Sequence, residues 1–280
     1  MTQGLMINVP TTFSRVLTDL SFISDVAEKA VAYRGLYGES EAVSLLNSST
    51  ASVASNVKTI AAQTPASLTY GKGYFKLTGP GADGSASTGI RLDLTLSSIE
   101  KNGYPLSMGC AFRNLQKTKE TGRQLYPIAS FYLSAGTVAA PPFLCIAAYI
   151  GDDGVRKIAA WSGSIADAVG SLPLQCAVDV DWQTTDLISA CVSRAADGTV
   201  SLAVKKGSAP VVTKSFAFAA VPDQGSAESV IPRIVYGSMN TRTLGSAELM
   251  TAEYWQSRTL SLAELSQQAS LTHLKAVSRL

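Results

Sequence analysis

Apolar and polar positions follow two rhythms along this chain. Between Phe13 and about Gln63, Val16, Leu20, Ile23, Ala27 and Ala30 step by four, three, four and three residues. Val43, Leu46, Thr50, Val53, Val57 and Ile60 then step by three, four, three, four and three. This is the heptad alternation of a coiled-coil seam, with Thr50 as a polar core position. The two seams are out of register, and Gly35 and Gly38 lie between them, where a helix can break or bend. The second seam is rich in Ser and Thr, which are poor helix formers, so neither piece is expected to stand alone. Three arrangements stay open: a helical hairpin, a short oligomeric stalk, or ordinary amphipathic helices packed on the neighbouring domain.

From about Thr64 the rhythm becomes that of strands. Tyr70–Thr78 reads as a strand with a Gly-rich entry, Ile90–Leu96 alternates cleanly, and Leu106–Phe112, Tyr126–Leu133, Phe143–Ile150 and Arg156–Trp161 follow. Leu174–Trp182, Leu187–Ser193 and Thr199–Lys205 continue the series, with Asp197-Gly198 as a tight-turn pair. Many short strands without intervening helices predict a β-sandwich. Glu248–Trp255 is a last strand, with Trp255 placed in the core. Ser261-Leu-Ala-Glu264 then has the form of a capping box, and Leu262, Leu265 and Ala269 follow at helical spacing.

Composition narrows the function. The chain of 280 residues is 46% hydrophobic and 16% charged, with a formal charge of +2. No Lys/Arg run is long enough to follow a phosphate backbone, so nucleic acid is not an expected partner. No stretch approaches the roughly 18–20 apolar residues of a membrane span, and no secretory signal is visible at Met1–Pro10. Cys110, Cys145, Cys176 and Cys191 are far apart and flanked by apolar residues. They read as buried residues of a protein made in a reducing compartment, not as a zinc site or disulfide framework.

Three motifs, in order, carry a family resemblance. Trp255-Gln-Ser-Arg-Thr-Leu-Ser-Leu-Ala-Glu-Leu265 closely resembles the ending of laminin-G-like domains in the concanavalin A-like lectin/glucanase superfamily. Ile188–Gly207 looks like their central hairpin, turning at Asp197-Gly198, and Ile231–Met239 resembles their penultimate strand. The resemblance spans roughly residues 64–276. It implies an antiparallel jelly-roll β-sandwich over residues 64–280 with a short C-terminal helix. Residues 1–63 are then a separate helical attachment or oligomerisation region, with Val16, Leu20, Ile23, Val43, Leu46, Val53, Val57 and Ile60 as its contact positions.

The superfamily contains glycoside hydrolases, and those with this fold carry a catalytic Glu-x-Asp-x-(x)-Glu strand. Retaining hydrolysis needs two carboxylates about 5–5.5 Å apart. Asp179 and Asp181 would share a strand face, but no Glu stands at either position and no third carboxylate completes the pattern, although Asp186 is close. His273 is the single histidine, with no Gly-x-Ser-x-Gly elbow, and Gly71-Lys-Gly73 is too short to cradle phosphate. The chain is therefore expected not to be an enzyme and to need no cofactor. Asp152-Asp153-Gly154 and Asp83 are the visible candidates for calcium, and neither is assigned as a metal site. For ligand binding, Trp161 and Trp182 end strands beside polar segments and are the candidate stacking platforms, with Asp186 nearby. Lys117, Lys119 and Arg123 lie in the most charged connection, a candidate recognition loop. Helical N-terminus plus lectin-like sandwich is similar to bacteriophage tail-fibre and receptor-binding proteins. That similarity implies a virion-surface protein without membrane insertion, a homotrimer as first choice. It would dock other virion proteins through its N-terminal region and bind a host-surface glycan. The alternatives are a purely structural decoration protein and, less favoured, a polysaccharide-degrading enzyme.

Overall fold

The computed structural model describes residues 25–49, 55–61, 67–78, 88–94, 105–116, 124–135, 138–163, 175–218, 230–238 and 246–280. Among these, the chain is mainly β, with two antiparallel sheets and a C-terminal helix, the β-sandwich expected from the alternating segments. One sheet has the order β13-β12-β11-β6-β15-β4-β3, with β1 also pairing β15. These strands are Val212–Ala217, Thr199–Lys206, Ile188–Arg194, Leu106–Gln116, Ser246–Trp255, Tyr74–Thr78, Ser67–Gly71 and Tyr33–Leu36, respectively. The other has the order β10-β9-β8-β7-β14-β5-β2. Its members are Ala177–Asp179, Arg156–Trp161, Val138–Ile150, Gln124–Ala135, Val230–Ser238, Thr88–Leu94 and Ser55–Ala61.

The core forms where the inward residues of both sheets meet. Met108, Cys110 and Phe112 of β6, Ala190 and Val192 of β11 and Leu249, Ala252 and Tyr254 of β15 come from one side. Leu92, Phe131, Leu144, Ile146 and Ile234 come from the other. Tyr236 of β14 crosses the gap: its hydroxyl donates to the Glu253 carbonyl at 2.5 Å, and its ring stacks on Tyr33 at 6.2 Å. The hairpin at Asp197-Gly198 forms as expected. Gly198 takes φ +90°, and Asp197 Oδ1 accepts from the Thr199 amide at 2.8 Å. The Tyr70–Thr78 segment differs from expectation. It is not one strand but the β3–β4 hairpin, because Gly73, at φ +76°, turns the chain back after Lys72.

The outer face of the eight-stranded sheet is closed by α3, Leu262–Val277, to follow α1 at Asp25–Lys29 and α2 at Glu41–Ser44. Ser261 and Glu264 form the predicted capping box. Leu265 and Ala269 of α3 pack on Trp255, Leu260, Cys191 and Ala203, so Trp255 lies in the core as assigned.

For the described residues 25–49 and 55–61 the N-terminal helical expectation is corrected. Val57 and Ile60 lie in β2, and residues 33–36 form β1, each within a sheet of the sandwich. Tertiary pairing overrides the heptad spacing here: Val57, Thr59 and Ile60 are β-branched, and Val57 packs against the core opposite Leu92. Val43 sits in the single turn of α2, and Leu46 is 60% exposed beyond its end. Ala27 of the first seam is buried on Trp255, whose indole N–H donates to the Ala27 carbonyl at 2.7 Å. At α1 the heptad pattern thus records packing on the sandwich. Val16, Leu20, Ile23 and Val53 lie outside the described residues.

Candidate functional site

Strand alternation puts a charged surface on the outside of the seven-stranded sheet. Val57, Leu92, Ile234 and Phe131 occupy one cross-strand row and face the other sheet. The residues one step along therefore point outward. Lys58 lies opposite Arg91, Asp93 opposite Arg233, and Arg233 opposite Tyr132. Asp93 is the hub. It meets Lys58 Nζ at 2.8 Å, Arg91 Nε at 2.9 Å and Arg233 Nε at 3.2 Å. Burial alone would push its carboxyl up, but the Lys58 hydrogen bond and the Arg91, Lys58 and Arg233 charges outweigh it and hold it below 3.8. Burial raises the Tyr132 phenol against the opposing pull of Arg233 and Arg91, so its hydroxyl stays protonated at neutral pH and hydrogen-bonds with Arg233. Lys58 keeps 40% of its side chain exposed, against 15–20% for Asp93, Arg91 and Arg233.

The two expected stacking tryptophans are not available as platforms. Trp161 belongs to the same outer face, reached along the row Arg91, Val235, Ser130, Cys145, Trp161, but it is fully buried. Trp182 is also buried. Its indole N–H donates to the Lys157 carbonyl at 3.3 Å, and the Arg156 guanidinium lies 5.0 Å from the ring centroid. A ring already capped by a cation anchors its own loop and has no free face for a sugar. Asp186 serves the same loop, accepting from the Gln183 amide at 2.8 Å and lying 3.6 Å from Lys206 Nζ. Lys117, Lys119 and Arg123 lie outside the described residues.

The acidic candidates are likewise dispersed. Asp179 ends β10 and pairs with Lys157 at 2.6 Å. Asp181 falls past the strand with left-handed backbone, φ +38°, so the two do not share a strand face. Asp153 supports the β8–β9 turn by accepting from the Val155 amide at 3.0 Å, and Asp83 lies outside the described residues. Among the described residues no group of three or more His, Cys, Asp or Glu could hold a metal ion. His273 lies on the buried face of α3, 3.3 Å from the Ser189 hydroxyl; burial, and then Lys205, lowers its pKa below 6.5. Burial raises the thiols of Cys145 and Cys176 to about 12.

Sequence reasoning missed the charged face because its members come from three separate segments. The alternation Ile90-Arg-Leu-Asp-Leu94 did place two charges on one strand face. Lys58, however, falls in a segment whose spacing reads as a helix, and the β5–β14 pairing is not written in either strand.

Neither a family model nor a curated protein matches this chain. Similarity to solved structures is one of overall β architecture. Peanut lectin is 9% identical, over 76% of this chain and 95% of that one, with a TM-score of 0.40. The botulinum neurotoxin serotype D binding domain is 10% identical, over 89% and 52%, with a TM-score of 0.47. The full-length tailspike protein 2 of Escherichia coli O157:H7 bacteriophage CAB120 is 10% identical, over 73% and 27%, with a TM-score of 0.40.

Proposed function

We propose that this chain is a non-catalytic, saccharide-binding β-sandwich displayed on a bacteriophage particle. The observation that carries the binding reading is the Lys58, Arg91, Asp93 and Arg233 face. Its guanidinium edges and carboxylate are fixed on a rigid sheet and partly open to solvent. Preorganised planar donors and acceptors of this kind suit pairs of sugar hydroxyls. The dispersed Asp179 and Asp181, the buried His273 and the high thiol pKa values support binding without turnover. The virion and homotrimer readings rest on the sequence resemblance and on the spacing of Val16, Leu20 and Ile23, the part of the first seam outside the described residues. A glycan array probed with the purified chain tests the proposal. Retention of a defined glycan, lost on Arg233→Gln with folding intact, is the expected result. An array without any hit sinks the binding reading, and light scattering that gives a monomer at micromolar concentration sinks the trimer.

A purely structural role is favoured by one observation. Edge strand β13 is exposed along its length and presents Val212 and Phe216 to solvent. Such an edge suits lateral contact within a particle. Under that reading, particles lacking the protein lose stability while host adsorption is unchanged.

A further inference from the structure

The charge balance of the sheet face specifies its ligand more closely, and this step rests on the saccharide-binding reading above. Lys58 and Arg91 stand directly opposite each other in the β2–β5 ladder. Like charges at such a position repel and weaken the sheet. Both lean on a single carboxylate, Asp93, at 2.8 Å and 2.9 Å, and the same carboxylate also serves Arg233. Lys58 and Arg91, with Arg233 beside them, thus all reach the one Asp93 carboxylate. Arg91 donates a terminal guanidinium N–H to Asp93 Oδ2 at 3.2 Å, while its buried Nε, 2.9 Å from Asp93 Oδ1, makes no hydrogen bond. Lys58, the most exposed of the group, is free to swing between Asp93 and an incoming group without leaving the face.

We propose that this face takes an acidic saccharide, one bearing a carboxylate or sulfate, with the anion seated between Lys58 and Arg91 beside Asp93. An anion there relieves the Lys58–Arg91 repulsion and offers both cations an acceptor besides Asp93. Asp93 then acts as a positioning residue, holding both cations in place and accepting from a neighbouring sugar hydroxyl. The preference comes from charge-assisted hydrogen bonds in a half-buried setting, which salt screens less than it screens fully exposed charges.

The test is titration calorimetry on the full chain with three probes: a uronate-containing oligosaccharide, the same oligosaccharide with its carboxyls reduced, and a sulfated oligosaccharide. The acidic probes are expected to bind about tenfold more tightly than the reduced one, and Lys58→Gln and Arg91→Gln each to erase most of that margin. Thermal midpoints confirm folding, and Lys58→Gln, at an exposed position, decides the matter if Arg91→Gln fails to fold. Equal affinity for the acidic and reduced probes overturns the acidic preference and leaves saccharide binding standing. A preference that survives both substitutions also overturns the proposal, because the anion is then held elsewhere. Binding of no probe removes the saccharide reading and this proposal with it.

Discussion

Glu253 is a carboxylate with no solvent exposure, held between elements far apart in sequence. It accepts from Arg34 Nε at 2.8 Å, Lys275 Nζ at 2.6 Å and the Thr272 hydroxyl at 2.7 Å. Glu28 closes the network by pairing with both Arg34 and Lys275, so two acids face two bases. Removing one member of such a buried set leaves the others desolvated and underpaired, at a cost of about 3–5 kcal/mol. Glu253→Ala is therefore expected to lower the urea-unfolding free energy by about that amount, and a change under 1 kcal/mol would show the network to be solvated in solution. Trp182→Ala follows the same logic. The ring is buried and capped by Arg156, so the expected effect is a loss of about 3 kcal/mol of stability. Saccharide affinity, measured where the variant is still folded, should be unchanged.

Among the elements, α3 shows what a sequence states locally. Its Ser261 hydroxyl accepts from the Glu264 amide at 3.3 Å, and the Glu264 carboxylate accepts from the Ser261 amide at 2.9 Å. Ser261→Ala should cost about 1 kcal/mol, read as a fall in thermal midpoint, with α3 still formed because Leu265 and Ala269 remain buried. Caps, tight turns and clean alternation depend on neighbours within a few residues, so the capping box, the Asp197-Gly198 hairpin and most strands were legible. β1 and β2 were not. Val57 and Ile60 of β2 also fit a heptad, β1 falls between the two seams, and only pairing with β15 and β5 makes these segments strands. The same gap hid the candidate site, since Lys58, Asp93 and Arg233 become neighbours only once β2, β5 and β14 lie side by side. Trp161 and Trp182 were misplaced for a related reason: a strand-end position says nothing about what covers the ring.

For the molecule as a whole, protonation reports how these parts hold together. Asp93 and Glu264 titrate below their ordinary values in the folded state: burial raises each, but Lys58, Arg91 and Arg233 outweigh it for Asp93, and Ser261 and Arg258 for Glu264. A depressed carboxyl contributes stability above its unfolded pKa, and that contribution is lost as pH falls through the folded value. His273 is depressed by burial, so the unfolded chain takes up its proton first and stability declines as pH drops below about 6.5. The urea-unfolding free energy, measured at a series of pH values, is expected to fall in two windows, one below about 6.5 and one in the carboxylate range, and His273→Gln should remove the upper one. The cysteines give an independent reading of cooperativity. All four are free and buried: Cys110 in the core, Cys145 on the outer face of the seven-stranded sheet, Cys191 under α3 and Cys176 just before β10. Burial raises every one of these thiols, Cys145 and Cys176 to about 12, so the reactive thiolate is scarce at neutral pH. The native protein should show no fast thiol titre with an aromatic disulfide reagent at pH 8, and the urea-unfolded chain should show four. If α3 opened independently of the sandwich, Cys191 alone would react at low urea, before the main transition. The buried Glu253 network ties α3 to β15, β1 and α1, so all four thiols are expected to appear together, at the urea concentration where the strand signal is lost.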